Sequence, residues 1–440
     1  MKIVKLWAVF AVCALLAGAQ TEKPALDAAK LYFDGQNGVS ASALARAALE
    51  KNGELQAARL EAAKARARLK QAGLRPNPVL QVERVTGRVV GDSAERGFSV
   101  GVSMPLERGQ KRLARITLAE AELRFVEAEI LEKERRLAVE VLQAYASALA
   151  AWRELETLED ILRLDTETAR FVQIRVNEGE TAPLELNLLQ AEVERLRAKR
   201  TLAEASLRAA LSQLRILSGL APEDLLRVRE KLTDGLLREP PASLAAATDI
   251  ALRERPDFQL AKLAEEVAAA GQQAAIAQAR FDWIISGGYS FLGSVYQDSP
   301  VGQVKDRSST VTFGVSIPLP VFNKNNAALQ EEAAVSILQA RRRREFLENV
   351  IRNEVAAAFN RYESSNQALF AFEQGVINRT KAGIQTIRGA YELGEFRILD
   401  LLQQQRRLLE AQQDLTAILT MRYRAHAELL TAIGAKEVGK

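Results

Sequence analysis

The sequence is almost without the side chains from which catalytic sites and soft-metal sites are built. Its 440 residues include one cysteine, Cys13, and one histidine, His426. A His-based triad, a pair of His zinc ligands and an internal disulfide are therefore excluded. No glycine-rich phosphate loop ending in Lys-Ser or Lys-Thr is present either. We expect no enzyme activity, no cofactor and no resident metal, and we expect His426 to be an ordinary residue of a helix face.

Proline and glycine are also scarce, at 12 and 25 residues, and only 6% of the chain is aromatic. Long runs of Ala, Leu, Glu, Arg and Gln favour extended helices instead. The net charge is +4 and charges of both signs are mixed along the helical stretches, so no basic tail points to nucleic acid. The basic run 341–344 is interpreted as a solvated helix face, with an anionic partner as the alternative.

The only long apolar run lies at the N-terminus, and its pattern is that of an export leader. Lys2 and Lys5 precede an apolar core at 6–16, and 17–19 form a small-x-small cleavage site. We therefore expect a signal peptide at 1–19 and an exported protein. Cys13 lies inside this leader without small residues directly before it, so we expect no lipid anchor.

A strand-like phrase occurs twice, at 98–106 (FSVGVSMPL) and at 311–319 (VTFGVSIPL). In each copy apolar residues alternate with small or polar ones, which predicts a strand with one apolar face. Each copy ends near a proline, Pro105 or Pro318, before a long stretch of helical periodicity. We therefore predict two strand-to-helix joints.

The stretch 111–176 contains neither Gly nor Pro, which predicts a continuous helix roughly 100 Å long at 1.5 Å per residue. Gly179 and Pro183 then supply a reversal and the first turn of a returning helix. Before this rod, an irregular lead-in at 20–40 is followed by a helix capped by Ser40 or Ser42 and interrupted near Asn52.

The same order of elements is repeated at offsets of 203 to 215 residues. Residues 251–263 resemble 48–60, and the turn at Gly394 and Glu395 resembles the turn at Gly179 and Glu180. This predicts a mainly α fold with a small β part, built from a duplicated unit of helix, β-hairpin and long helical hairpin. The predicted boundaries form one set: a first repeat at 20–218 (β-hairpin about 78–106, helical hairpin about 111–218), a connector at 219–248, a second repeat at 249–433 (β-hairpin about 283–318, helical hairpin about 323–430) and a tail at 434–440.

Four one-sided strands constrain the surroundings of the sheet. In lipid, an open four-stranded sheet leaves edge N–H and C=O groups unsatisfied at several kcal/mol each. Membrane barrels begin at about eight strands, so several chains have to close one barrel. The alternative is the edge of a soluble sandwich, which the export leader and the long rods disfavour.

The chain resembles the TolC-like outer-membrane factors over nearly its whole mature length. The resemblance is carried by the duplication, the PNP strand entry at 76–78, the GVSxPL strand exits and the GxxxxL(D/E)L turns beginning at Gly179 and Gly394. Residues 107–112 (ERGQKR) and 318–325 (PLPVFNKN) are most similar to the cobalt-zinc-cadmium, or CzcC-like, branch.

The resemblance implies a homotrimer with a 12-stranded outer-membrane barrel and long antiparallel coiled-coil rods forming a periplasmic tunnel. It further implies that a periplasmic adaptor contacts the tips at Gly179, Glu180, Gly394 and Glu395. An inner-membrane pump, of the resistance-nodulation-division type, would supply the energy.

Some relatives in this family carry a ring of carboxylates inside the tip. Asp400 matches the first position of that ring, Gln403 stands where a second acid would be, and Glu185 is the first-half counterpart of Asp400. The alternative is that these acids are ordinary exposed groups near helix N-termini.

The expected function is a passive efflux duct, carrying heavy-metal cations or, alternatively, drugs or type I secretion substrates. A periplasmic adaptor would not show duplicated one-sided hairpins, and a coiled-coil spacer leaves the strands unexplained.

Overall fold

The computed structural model describes residues 27–86, 96–234, 239–296, 304–319, 326–393 and 395–434. The leader with Cys13 lies outside these residues. The fold is mainly helical with one four-stranded antiparallel sheet, as the sequence predicts. No helix in the described part of the chain combines the length and the apolar character needed to cross a membrane.

The elements follow one another in two similar series. In chain order they are α1 (Ala28–Tyr32), α2 (Ala41–Lys51), α3 (Gly53–Ala72), β1 (Val79–Thr86), β2 (Arg96–Leu106), α4 (Lys111–Asn177), α5 (Pro183–Ser218), α6 (Leu244–Glu254), α7 (Pro256–Gln278), β3 (Trp283–Tyr296), β4 (Val304–Ser316), α8 (Ala327–Phe372), a π-helical turn (Glu373–Ile377), α9 (Asn378–Glu392) and α10 (Ile398–Ala432).

The duplication extends to the breaks between helices. Asn52 separates α2 from α3, and Arg255 separates α6 from α7; both residues have φ −63° and ψ near 120°. Before the long rods α4 and α8, Gln110 and Asn326 both adopt the left-handed conformation. Similar local geometry at equivalent positions confirms the predicted repeat.

Caps explain where the first helices begin. The Ser40 hydroxyl accepts a hydrogen bond from the Ala43 N–H at 3.2 Å and so starts α2. The Asn52 side chain accepts from the Leu55 N–H at 3.1 Å and starts α3. At the predicted interruption near Asn52, α2 therefore ends and α3 begins with a new N-cap. The short helix α1 in the lead-in was not predicted.

The helices pack around α4, which contacts α5, α7 and α10, while α8 packs on α7 and α10. Leu155, Leu158 and Leu162, from the apolar stripe that the sequence predicts, are buried in the largest core. Nearer the sheet, the buried residues of α4 are small ones such as Ala121.

The connector between the repeats is part of the core. Leu226, Val228 and Leu232 are buried, and Val228 forms parallel bridges with Phe33 and Val39. The Tyr145 hydroxyl donates to the Val39 carbonyl at 3.0 Å and accepts from the N–H groups of Arg229 and Glu230. The connector is thereby held against α4.

The sheet has the order β1-β2-β3-β4, so β2 and β3 join the two hairpins. The register places Val102 opposite Gly287 and Gly287 opposite Phe313 on one face, and Gly101, Gly288 and Thr312 on the other. The apolar face of the isolated chain is exposed, with Phe313 at 88%. The predicted separation into an apolar face and a small, polar face is confirmed.

Three details differ from the sequence-based expectation. The strand β4 begins at Val304, seven residues before the strand-like phrase at 311–319, because β3 continues as its pairing partner to Tyr296. The last strand ends at Ser316, before Pro318. The second rod is interrupted by the π-helical turn, whereas α4 is continuous.

Candidate functional site at the helical tips

The first tip is a tight helix-ending motif between α4 and α5. Gly179 has φ +79°, and the Glu180 N–H donates to the Arg175 carbonyl at 2.9 Å. This six-to-one hydrogen bond with a left-handed glycine is the Schellman arrangement. Pro183 then starts α5 at its first turn, where a missing N–H has no cost.

The second tip repeats this six-to-one hydrogen bond. The Glu395 N–H donates to the Ala390 carbonyl at 2.9 Å, which is the equivalent bond 215 residues later. Gly394 itself lies outside the described residues. The Glu180 carboxylate lies 3.3 Å from Arg175, which steadies the first turn, and Glu395 is exposed.

A small apolar core holds the two tips side by side. It joins Val172 of α4, Leu189 of α5, Tyr391 of α9 and Leu401 of α10. The Tyr391 hydroxyl donates to the Glu185 carboxylate at 3.4 Å, and burial, with Glu185 beside it, raises the pKa of Tyr391. Glu185 therefore links the two helical hairpins, while sequence reasoning placed it only as a counterpart of Asp400.

Asp400 and Gln403 are both exposed on α10. The Asp400 carboxylate accepts a hydrogen bond from the Arg397 N–H at 3.2 Å, so it also caps its own helix. Within the described chain, the structure does not bring Asp400, Gln403 and Glu185 into one contact set, since Glu185 is turned toward Tyr391.

Deeper along the rods lies an ionic group that the sequence did not reveal. Glu192 of α5 is buried and accepts from Arg195 of its own helix and from Arg406 of α10, the latter at 2.9 Å. Burial raises the pKa of Glu192, but these hydrogen bonds outweigh it and keep that pKa below its ordinary value. Asp165 of α4 lies beside this group and is 1% exposed.

At the other end of the rods, the first strand-to-helix joint is held by ion pairs. Glu107 pairs with Arg115, and Asp282 pairs with Lys111 at 2.8 Å. Pro105 lies within β2, opposite Ile284, rather than after the strand. Pro318 follows β4 in an irregular segment.

No group of three or more His, Cys, Asp or Glu residues capable of holding a metal ion occurs among the described residues. His426 is buried on α10 against Tyr362, with ring centroids 5.0 Å apart. The chain thus combines long packed helices, two adjacent helical tips and a sheet with one apolar face. It defines the class of a channel-forming subunit with long helical extensions.

Comparison with known proteins identifies the family. The sequence model of the family described as outer membrane efflux protein matches residues 44–220 and 247–435 of this chain. The chain therefore belongs to this family. It is an outer-membrane efflux channel with a periplasmic portion, and it is not an enzyme. The predicted TolC-like family is thereby confirmed.

Individual relatives match this chain over most of their own length. The chain is 27% identical to the cobalt-zinc-cadmium resistance protein CzcC of Cupriavidus metallidurans over 372 residues, covering 83% of this chain and 82% of CzcC. It is 23% identical to the outer membrane protein TolC of Vibrio cholerae, covering 72% of each chain. A crystal structure of CusC superimposes with a TM-score of 0.73 at 22% identity, covering 90% of this chain and 92% of that one.

Proposed function

We propose that the chain is the outer-membrane exit duct of a three-component efflux system whose cargo is heavy-metal cations. The observation that carries the cargo assignment is the similarity to CzcC across 83% of the chain, since CzcC is named for cobalt, zinc and cadmium resistance. The exposed Asp400 near the tip supports it, because a carboxylate at a pore entrance favours cations.

The duct is passive. The sequence contains no phosphate-binding loop, and no metal-holding cluster occurs in the part of the chain that the structure describes. Metal selectivity and energy therefore belong to the pump, for which we propose the resistance-nodulation-division type.

A homotrimer is proposed because the sheet of one chain ends in unpaired edges. The four strands pair in the order β1 to β4, so β1 and β4 each have one free edge. In outer-membrane lipid, closure with further copies satisfies these edges, and three copies provide twelve strands. The exposed apolar face of the sheet then contacts lipid.

The tips at Glu180 and Glu395 are proposed to receive a periplasmic adaptor. Both tips contain the equivalent backbone hydrogen bond and are packed side by side, so they present a repeated surface. Asp400 is proposed as the periplasmic gate, with Gln403 one turn further along α10. Export by a cleaved leader without a lipid anchor remains our expectation.

A second candidate function is a TolC-like exit duct for drugs or for type I secretion. It is favoured by the similarity to TolC over 72% of each chain. A periplasmic adaptor or a coiled-coil spacer explains the continuous four-stranded sheet less well, because neither needs a sheet that carries Phe98, Tyr289 and Phe313 on one exposed face.

Deletion of the gene tests the cargo. We expect the deleted strain to become sensitive to Co²⁺, Zn²⁺ and Cd²⁺, and a plasmid copy to restore resistance. Dyes, antibiotics and a secreted reporter protein are measured in parallel. If sensitivity to the metals is unchanged while sensitivity to dyes or antibiotics increases, the cargo is drugs and the assignment of heavy-metal cations is wrong.

A further inference from the structure

A buried polar cluster joins three helices between the tips and the middle of the rods. It consists of Asp165 on α4, Glu192 on α5 and Gln405 on α10, which are 1%, 6% and 5% exposed. Because α4 and α5 form one helical hairpin and α10 belongs to the other, the cluster lies at the contact between hairpins.

The hydrogen bonds of this cluster are incomplete. Neither carboxylate oxygen of Asp165 has a partner in hydrogen-bond geometry among the described residues, and the same holds for the Gln405 side-chain oxygen. Glu192, in contrast, is fully engaged by Arg195 and Arg406. A buried carboxylate without partners is costly, whereas its protonated form supplies a donor for an amide oxygen.

The charged groups around Asp165 come from both neighbouring helices. Glu192 and Arg195 act on it from α5. From α10, Gln405 lies beside it, and Arg406 acts through its ion pair with Glu192. Burial, and secondly the negative charge of Glu192, raises the pKa of Asp165 to about 7. Gln405 and Arg195 act in the opposite direction and lower this pKa by a smaller amount.

A break in the regular α-helix lies beyond the cluster, on the side away from the tip. The π-helical turn at Glu373–Ile377 separates α8 from α9, and Ile377 packs in the same core as Leu409 and Leu415 of α10. Gly383 of α9 approaches Gln404, so the cluster at Gln405 lies between this turn and the tip. π-helical turns inside α-helices frequently occur at functional sites.

We propose that Asp165 is a proton-operated lock between the two helical hairpins, which holds the tips together when protonated and weakens their contact when ionised. The protonated carboxyl carries no charge beside Glu192 and leaves the Glu192–Arg406 pair undisturbed. Ionisation places a second negative charge beside Glu192 inside the contact. The segment beyond the π-helical turn, α9 with the first turns of α10, then separates from α4 and α5. This lock regulates the duct proposed above and rests on that proposal for its biological role.

The direction of the pH effect follows from linkage. The closed contact has the raised pKa of about 7 at Asp165, while the separated, solvated carboxyl returns toward its ordinary value near 4. The closed state therefore binds the proton more tightly, and its advantage decreases as pH rises between these two values. The ratio of closed to open tips should fall by up to about tenfold per pH unit below pH 7 and then level off.

The experiment measures the distance between the tips by electron spin resonance. Cysteines are placed at Glu178→Cys and Leu393→Cys, equivalent positions in the two tips, in a Cys13→Ser background that has no other cysteine. The spin-labelled full-length chain is diluted with unlabelled chain, so that only distances within one chain are seen. Channel currents in planar bilayers are recorded from the same preparations.

We expect the short distance to dominate at pH 5.5 and a longer distance to grow toward pH 7.5. Asp165→Asn should keep the short distance at both pH values and unfold at a higher temperature than the parent at pH 8. Glu167→Gln, which changes an exposed acid two residues away on α4, should behave like the parent.

Tip distances independent of pH, or a pH response that persists in Asp165→Asn, would overturn the lock. Failure of the lock and failure of the duct are distinguishable. If the tip distance changes with pH but no channel currents are recorded, the lock is supported and the proposed duct is contradicted. If currents are recorded but the tip distance does not change with pH, the duct is supported and the lock is contradicted.

Discussion

At the residue scale, Asp400 combines a structural contact with a proposed functional one. Its carboxylate caps α10 by accepting from the Arg397 N–H, and its exposed charge is the proposed gate. Asp400→Ala removes both, so we expect higher conductance or leak of the reconstituted channel. The measurement is single-channel conductance and the reversal potential in a salt gradient.

Asp400→Asn separates the two roles, since the amide oxygen still caps the helix while the charge is lost. We expect it to lower cation preference as strongly as the alanine variant, with less effect on stability. Unchanged conductance and ion selectivity in both variants would assign Asp400 to helix capping alone.

Two buried tyrosines give a matched test of the connector. Tyr145 is fully buried and its hydroxyl serves one carbonyl and two N–H groups, so Tyr145→Phe leaves these backbone groups unsatisfied. We expect a loss of about 2–3 kcal/mol in the free energy of unfolding. Tyr423 is also buried, but its hydroxyl has no hydrogen-bond partner among the described residues.

Tyr423→Phe should therefore be neutral or slightly stabilising. Thermal unfolding of the two purified variants, compared with the parent, provides the measurement. Equal losses in both variants would mean that the Tyr145 hydroxyl does not hold the connector.

Sequence reasoning was weakest for single buried polar residues. Asp165 occupies an α4 position that looks like any acid on a charged helix, and its burial depends on α5 and α10, which are distant in sequence. The pairing of Tyr391 with Glu185 spans 206 residues. No local pattern encodes either contact, since both arise from how the two hairpins pack.

At the scale of elements, local chemistry was sufficient for most boundaries. The absence of Gly and Pro defines α4, Ser40 and Asn52 cap α2 and α3, and Gly179 with Pro183 forms the first tip. The π-helical turn was not predicted, because nothing in the local sequence distinguishes it from an α-helix containing Gly375. The pairing of β2 with β3 likewise joins strands far apart in the chain.

The first tip can be tested by changing its glycine. Gly179 has φ +79° and its surroundings are open, so Gly179→Ala strains the backbone without a steric clash. We expect a local cost of about 1 kcal/mol and faster proteolysis at 177–183. Gly271→Ala, in the ordinary helix α7, is the control and should stabilise by about 0.5–1 kcal/mol. Equal protease sensitivity in the parent and in Gly179→Ala would contradict this explanation of the turn.

Pro105, which lies within β2, and Pro318, which follows β4, give a second prediction at this scale. Replacing Pro105 and Pro318 with Ala removes two fixed φ angles where strands give way to helices. We expect a lower yield of assembled trimer in gel electrophoresis without boiling, with cargo preference unchanged. The two single variants show which strand-to-helix joint is responsible. A normal trimer yield in the double variant would mean that neither proline is needed for assembly.

At the scale of the whole molecule, the two faces of the sheet determine where each part of the chain resides. The apolar face contains Val311 and Phe313, while Thr312 and its neighbour Gly288 lie on the opposite face. This alternation, together with rods roughly 100 Å long, supports the proposed arrangement, in which the sheet lies in the membrane and the rods lie in the periplasm.

Adjacent residues of β4 allow the orientation of this wall to be tested. Phe313 is 88% exposed on the apolar face, so Phe313→Arg places a charge in lipid at a cost of about 2–4 kcal/mol per chain near the bilayer midplane. We expect little heat-modifiable trimer in the outer-membrane fraction. Thr312→Arg places the same charge on the opposite face, which lines the water-filled lumen of the barrel when the apolar face contacts lipid. Water solvates the charge there, so assembly should continue and cation conductance should fall. The reverse pattern, with Thr312→Arg blocking assembly and Phe313→Arg tolerated, would invert the sheet and exclude the proposed barrel.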